Sequence, residues 1–241
     1  MISSYFYIVK ISLAIPFLLY ACKIDLEERR VPNKVWKYML ILFLPIVFIE
    51  YIVVKFNLIF AALQFLLIFS LSYLLYQSGM WGGADAKALI VLSASFPVFP
   101  EISALPLLNK GFGILAFSTL SNSVIFSPAV VIYVFLKNLK SGLKNGNPIY
   151  YFTGYQVDAD KIPRFHNLLE FIDKGKIIRV KKGIEPDEKM LMGLKKAKKA
   201  GRIDKVWVTP GLPFLVFITA GFLISAIIGD ILFEIVRLFL L

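Results

Sequence analysis

Cysteine and histidine are almost missing from this chain of 241 residues, which has one of each, Cys22 and His166. A single cysteine excludes a disulfide within the chain, and it also excludes a zinc site made of several thiolates. Charged residues are few as well, at 18% of the chain. Cys22, which lies inside an apolar run, is expected to be a buried thiol.

Apolar residues dominate instead, at 58% of the chain with a mean hydropathy of +0.74. A membrane-spanning helix needs about 20 apolar residues. The predicted fold is an all-α polytopic membrane protein, and the first run shows no cleavage pattern, so we expect it to be retained as a span. The six predicted transmembrane helices are Tyr5–Cys22, Val35–Val54, Leu58–Tyr76, Ala84–Val98, Gly113–Leu136 and Leu212–Leu232. The fourth is short, and a re-entrant or buried helix is the alternative for it.

Positive charge is concentrated between the fifth and sixth predicted helices, in residues 137–208, which hold 17 Lys and Arg against 8 Asp and Glu. Basic loops stay on the cytoplasmic side of a membrane. The loop Lys23–Lys37 is also basic, and an even number of spans separates the two loops, so both are predicted to be cytoplasmic and both chain termini outside. The predicted domains are a membrane domain, 1–136, a basic cytoplasmic subdomain, 137–208, and the last helix with the C-terminus, 209–241.

The basic subdomain is predicted to have a small α+β fold. Its helix is expected over Glu185–Ala200, with Pro186 in the first turn and Gly201 closing the end. Strands are predicted at Pro148–Gln156 and Lys176–Lys182, and turns at Asn145-Gly146 and Lys174-Gly175.

The lysines within Lys195–Lys199 have two interpretations. They could bind nucleic acid, or they could form a solvated helix face above anionic lipid headgroups. We favour the second because the chain is predicted to be a membrane protein. Membrane lipids are therefore expected as partners and nucleic acid is not, and Trp36 and Trp81 are expected at the membrane interface.

Two aspartates near the ends of apolar helices are the strongest candidates for chemistry, because charge is costly there. Asp25 ends the first predicted helix and Asp85 begins the fourth. The predicted topology puts both on the cytoplasmic side at one membrane depth. Two close carboxylates can share one proton, so that one acts as a base towards water and the other as an acid towards a peptide carbonyl.

Glycines surround the second aspartate. Gly79, Gly82 and Gly83 precede Asp85, and glycine permits unusual backbone dihedrals and lets a substrate backbone pass close by. The alternative is a tight turn between two helices in which Asp85 is only the N-cap.

The stretch Gly82-Gly83-Ala84-Asp85 resembles the G-x-hydrophobic-D element of the GxGD aspartyl peptidases, in the branch of prepilin and preflagellin peptidases, and Lys87 matches its D-x-K continuation. Two further stretches are similar to elements of the same family. One is Asp25 followed by Val31-Pro32-Asn33, and the other is Pro210-Gly211-Leu212-Pro213-Phe214. Their order and their predicted membrane side make the combination more specific than any one motif.

This resemblance implies a membrane-embedded aspartyl endopeptidase that acts without metal or cofactor, with Asp25 and Asp85 as the catalytic dyad. It implies that short basic leaders of preflagellin-like or type IV prepilin-like precursors are cut at the cytoplasmic face of the cell membrane. Gly82, Gly83, Ala84, Lys87, Val31, Pro32, Asn33, Pro210 and Pro213 would position the dyad or the substrate. The oligomeric state is not predicted.

Two departures from the family pattern bear on this expectation. Ala84 replaces a glycine found in many relatives, and we expect activity to survive the extra methyl group. The bifunctional bacterial members carry paired C-x-x-C motifs and also methylate the new N-terminus, which a chain with one cysteine cannot match. The large basic loop instead resembles the archaeal preflagellin-processing branch, which does not methylate.

Two other functions remain compatible with the same frame. A small cation- or proton-coupled transporter could use the two aspartates to bind its ion, but no inverted repeat is visible in the sequence. A non-catalytic assembly scaffold is the third possibility, and it would tolerate the replacement of either aspartate by asparagine.

Overall fold

The computed structural model describes residues 2–99, 105–142, 147–173 and 175–240. The predicted turn at Asn145-Gly146 lies outside the described residues, and so does Lys174 of the predicted turn at Lys174-Gly175. The chain divides into two compact units, Met1–Phe126 with Pro213–Leu241, and Ser127–Leu212. The first is helical, and the second combines helices with a sheet. Both candidate catalytic aspartates belong to the first unit.

The first unit is built from apolar helices whose exposed sides carry large hydrophobic residues such as Phe48 and Leu63. Such surfaces suit contact with lipid. Its helices are α1 (Ile2–Glu28), α2 (Asn33–Val54), α3 (Leu58–Gln77), α4 (Gly83–Ser95), α5 (Leu115–Val124), α9 (Phe214–Ile227) and α10 (Ile231–Leu240).

Six membrane spans are not confirmed. In the described residues, four helical segments are long and apolar enough to cross a membrane: α1, α2, α3 and the stretch Leu115–Lys140. A fifth is possible if α9 and α10, which are bent by 67° at their junction, count as one. The protein is therefore a mostly helical, multi-pass membrane protein. The predicted fourth span, α4, has 13 residues, about 20 Å at 1.5 Å per residue, and falls short of a hydrocarbon core of about 30 Å.

Helix α4 is instead a short helix buried within the bundle, which was the alternative for this segment. It packs against α2, α3, α5 and α9. A helix that ends among apolar side chains leaves carbonyl groups without partners. Gln64 of α3 supplies donors for two carbonyl groups at this end of α4. Its amide nitrogen donates to the carbonyls of Ser93, at 3.2 Å, and Phe96, at 3.4 Å.

Helices α5 and α9 approach each other closely through small residues. A methyl group added at Gly221 of α9 would lie 2.4 Å from the Ser123 hydroxyl oxygen, so only glycine fits there. Beyond this contact, the Asn122 amide donates to Ser225 and to the carbonyl of Gly229, both at 2.8 Å. Small residues and polar contacts of this kind hold helices together in membranes, where apolar burial gives little preference for one partner over lipid.

The second unit combines three helices with four strands among the described residues. Its elements are α6 (Ser127–Lys140), α7 (Tyr150–Thr153), β1 (Tyr155–Asp158), β2 (His166–Asp173), β3 (Lys176–Ile184), α8 (Glu188–Lys199) and β4 (Lys205–Pro210). The strands form an antiparallel sheet in the order β1-β4-β2-β3. Leu168, Val206 and Val208 of the sheet form a core with Leu194 of α8.

The secondary structure predicted for this unit needs three corrections. The strand expected over Pro148–Gln156 begins only at Tyr155, because α7 occupies the preceding residues. Helix α8 begins later than expected: Asp187, not Pro186, is next to its first residue, and the Asp187 carboxylate caps the helix by accepting from the Met190 N–H at 2.6 Å. Strands β2 and β4 were not predicted.

Other expectations for this unit agree with the structure. Strand β3 covers the predicted Lys176–Lys182, and Gly175, with a φ of 78°, lies in the hairpin that joins it to β2. Gly201, with a φ of 68°, follows α8 and donates to the carbonyl of Lys198.

Candidate active site

Asp25 lies in the last turn of α1, with its side chain turned into the bundle and 8% of the residue exposed. The preceding turn fixes this face of the helix. The Cys22 thiol lies 3.0 Å from the Thr219 hydroxyl and 3.3 Å from the Leu215 carbonyl, both on α9. Cys22 is thus buried as expected, and its contacts orient the end of α1 that carries Asp25.

Arg29 follows the end of α1 in a left-handed conformation, with a φ of 58°. Its N–H closes the last turn by donating to the Asp25 carbonyl at 3.1 Å. Its guanidinium then lies 3.8 Å from the Asp25 carboxylate, at the long limit of an ion pair. The cation therefore stands beside Asp25 without the short contact of a fully matched pair.

Asp85 is the third residue of α4, and it is as buried as Asp25. Gly82, not Asp85, is the N-cap. The Asp85 carboxylate reaches back and accepts a hydrogen bond from the Gly82 N–H at 3.0 Å. The interpretation of Asp85 as an N-cap is therefore wrong in position, although the residue does satisfy one donor at the start of α4.

The two aspartates are brought together from different helices. Asp85 lies within electrostatic range of both Asp25 and Arg29. The cluster thus has two buried carboxyl groups beside one partly exposed cation. Like charges at this range oppose each other's ionisation, so the protonation of one carboxyl group depends on that of the other.

The glycines next to Asp85 differ in what they provide. Gly79 has a φ of 63° and so needs the freedom of glycine. Gly82 does not, since its φ of −72° and ψ of 153° suit any residue. What Gly82 provides is space, because a Cβ atom there would lie 3.0 Å from the Asp85 carboxylate oxygen. The expectation of unusual dihedrals is therefore wrong for Gly82.

A direct hydrogen bond joins the two sequence motifs. The Lys87 ammonium donates to the Asn33 side-chain oxygen at 2.7 Å. Pro32 is the N-cap of α2, and its carbonyl accepts from the Val35 N–H at 3.1 Å, so Asn33 begins α2 at a fixed place. Both Lys87 and Asn33 were expected near the site, but their contact with each other was not foreseen.

The remaining predicted positions take supporting places. Val31 and Ala84 are partly buried and pack against the core of the first unit. Pro213 is the N-cap of α9, and the next residue, Phe214, packs on the ring of Trp81 with 5.1 Å between ring centroids. Pro210, expected at the start of the last span, is instead the last residue of β4 in the second unit.

The expectation that Trp36 anchors the protein at the membrane interface is wrong. Trp36 is 3% exposed and belongs to the core of the first unit rather than to a surface belt.

Among the described residues, no group of three or more His, Cys, Asp or Glu side chains is arranged to hold a metal ion.

Comparison with known proteins gives matches over nearly the whole chain. The profile of the type IV leader peptidase family matches residues 12–126, which include Asp25 and Asp85, and the profile of the archaeal peptidase A24 C-terminus, type II, matches residues 146–231. A preflagellin peptidase of Methanococcus voltae is 29% identical over 91% of this chain and 94% of its own. A preflagellin peptidase of Methanocaldococcus jannaschii is 27% identical over 88% and 91%.

Proposed function

The chain belongs to the type IV leader peptidase family, and we propose that it is an aspartyl endopeptidase that removes the leader peptide from preflagellin-like or prepilin-like precursors. The observation that carries this proposal is that Asp25 and Asp85, from two helices, are both buried and lie within electrostatic range of each other. The names of the archaeal relatives support precursors of the flagellin type as substrates.

In the proposed reaction, a water molecule lies between the two carboxyl groups. The ionised one takes a proton from the water as its oxygen attacks the scissile carbonyl carbon, and the protonated one gives its proton to the carbonyl oxygen. The tetrahedral intermediate then collapses: the C–N bond breaks, and a carboxylic proton passes to the leaving amine. Arg29 stays beside Asp25 and limits the repulsion between the acids.

The surroundings of Asp85 suit a substrate in extended conformation. Gly82 presents no side chain towards the carboxylate, which leaves room for a peptide backbone next to the reacting oxygen atoms. We place this site at the cytoplasmic face of the membrane, because the basic segments of the chain are expected there. We also expect cleavage without methylation of the new N-terminus, since one cysteine cannot form paired C-x-x-C motifs.

The test is cleavage of a precursor with a short basic leader and an apolar helix, by purified protein in detergent with a chelator present. We expect Asp25→Asn and Asp85→Asn each to lower kcat/KM by at least about 1,000-fold, as the loss of a catalytic group does in other proteases. Glu28→Gln is the matched control, because Glu28 is an exposed carboxylate in the same turn of α1 as Asp25. Its activity should stay within about twofold of wild type.

Two results would contradict the proposal. If both asparagine variants cut the precursor, Asp25 and Asp85 are not the dyad. If the wild type leaves several such precursors intact, proton or cation flux into liposomes becomes the next measurement.

A further inference from the structure

The first unit contains a buried ion pair that the proposed reaction does not use. The Lys10 ammonium on α1 lies 2.6 Å from the Glu50 carboxylate on α2, and the two residues are 0% and 5% exposed. Charges inside membrane-spanning helices are costly and are kept where they have a partner and a role. Lys10 lies in the N-terminal half of α1, and Asp25 lies in its last turn.

The same ammonium also contacts α4. Lys10 Nζ lies 5.0 Å from the centroid of the Phe96 ring, and Phe96 is the C-cap of α4. A cation above an aromatic face gains more when both are removed from water, as they are here. One ammonium group therefore joins α1, which carries Asp25, to α2 and to the end of α4, which carries Asp85.

The Phe96 ring is itself held in place from several sides. It packs on Tyr7 of α1 at 6.3 Å, on Phe43 of α2 at 6.0 Å and on Phe222 of α9 at 5.5 Å between ring centroids. The ring therefore has little freedom to follow a shift of α4 without a shift of its neighbours.

The opposite end of α4 is tied to α2 by the hydrogen bond from Lys87 to Asn33. A helix of 13 residues moves as one body, so a contact at one end sets the place of side chains at the other. Both ends of α4, the helix that carries Asp85, therefore contact α2.

From these contacts we infer that Lys10 and Glu50 are positioning residues, which fix the separation of Asp25 and Asp85 from the far end of the bundle. The inference rests on the proposed function for the role of the two aspartates. Neither Lys10 nor Glu50 touches the substrate; they act through α1, α2 and α4.

The decisive variant is the double substitution Lys10→Met with Glu50→Leu, which removes both charges and keeps the apolar volume. Well-packed apolar replacements of a buried ion pair often keep stability, so we expect the melting temperature to stay close to that of wild type. A displaced catalytic group can cost up to about 100-fold in rate, and we expect kcat to fall by about 10- to 100-fold with KM within about twofold. Wild-type kcat in this folded variant would overturn the inference, because the pair would then serve stability alone.

A second measurement needs no cleavage. Spin labels at Leu26→Cys, beside Asp25, and Met80→Cys, in the loop before α4, would report the distance between the two elements, and both residues are at least half exposed. Cys22→Ser removes the native thiol while keeping a hydroxyl for the Thr219 contact. We expect a single narrow distance distribution with the ion pair present, and a shifted or broader one in the double variant. Identical distributions would overturn the inference even if the protein proves not to be a peptidase.

An exposed ion pair of the second unit provides the matched control. Lys198 and Asp160 form the same kind of contact on the surface. The double substitution Lys198→Met with Asp160→Leu should leave the melting temperature, kcat and the label distance unchanged. If it lowers kcat as much as the buried double variant does, the effect is not specific to Lys10 and Glu50, and the inference fails.

Discussion

Helix α1 carries charge in opposite ways at two places along its length. In its N-terminal half, the Lys10 ammonium lies 2.6 Å from one acid, Glu50, and both residues are buried. In its last turn, Asp25 lies within electrostatic range of a second acid, Asp85, and 3.8 Å from the partly exposed Arg29 guanidinium. The first arrangement is a short contact between one acid and one base, and the second has two acids and one base at longer range.

This difference suggests different roles, a structural one for the pair of Lys10 and Glu50 and a chemical one for Asp25 and Asp85 under the proposed function. A balanced pair in an apolar bundle gains most when it does not move, because any separation leaves two uncompensated charges. An excess of buried carboxyl groups is instead unfavourable when all of them are ionised, and protonation of one relieves the repulsion. Under the proposed function, the same helix holds a fixed anchor and a reactive group, so substitutions of Lys10 and of Asp25 should behave differently.

The largest effect on stability is expected from breaking the balanced pair on one side only. Lys10→Met leaves Glu50 buried without its cation, and the loss of one partner from such a pair costs about 3–5 kcal/mol. Thermal unfolding in detergent measures this loss. Asp25→Asn removes one of two buried carboxyl groups that repel each other when ionised, so the melting temperature of this variant should equal or exceed that of wild type. Equal destabilisation by the two substitutions would contradict the distinction between Lys10 and Asp25 on α1.

A smaller effect, confined to activity, is expected from crowding the site. Gly82→Ala places a methyl group 3.0 Å from the Asp85 carboxylate without straining the backbone, whose φ is −72°. The displaced carboxylate should lower kcat by about 10- to 100-fold, or roughly 1.4–2.7 kcal/mol. Gly193→Ala in α8 of the second unit is the control, since its Cβ would meet no atom closer than 3.7 Å and kcat should change by about threefold or less. Equal losses in both variants would show that the space beside Asp85 is not what Gly82 provides.

Removing the hydrogen bond between Lys87 and Asn33 should change the free energy of unfolding by a still smaller amount. Lys87→Met and Asn33→Ala each remove the 2.7 Å hydrogen bond between α4 and α2, which is exposed to solvent. A net loss of about 0.5–1.5 kcal/mol is typical for such a contact. A double-mutant cycle on the free energy of unfolding should give a coupling energy in the same range. Additive single effects would show that the two side chains do not support each other.

Much of the site could be predicted from the sequence because its signals are local. Acid groups next to apolar runs, the glycines before Asp85 and the Val31-Pro32-Asn33 stretch are all visible along the chain. The balanced pair was not visible in this way. Lys10 and Glu50 are joined only through the packing of α1 on α2, and no spacing rule relates them.

The fold was less predictable where length and tertiary contacts decide. Hydropathy could not distinguish a span from the buried helix α4, whose end depends on Gln64, a residue of another helix. Trp36 was misplaced for a similar reason, because its burial comes from neighbouring helices. In the second unit, β2 and β4 pair with each other across a long stretch of chain, and neither strand alternates clearly enough to stand out.

The smallest effect is expected from an ion pair at the protein surface. Arg179 on β3 and Glu170 on β2, both in the second unit, lie 2.9 Å apart, close to the 2.6 Å between Lys10 and Glu50, yet the Arg179 side chain is 63% exposed. A pair with an exposed member contributes about 0–1 kcal/mol, because water already stabilises the exposed charge. Arg179→Met should therefore change the melting temperature far less than Lys10→Met does, as followed by thermal unfolding in the same detergent. If the two substitutions cost the same, burial is not what makes the Lys10–Glu50 pair strong.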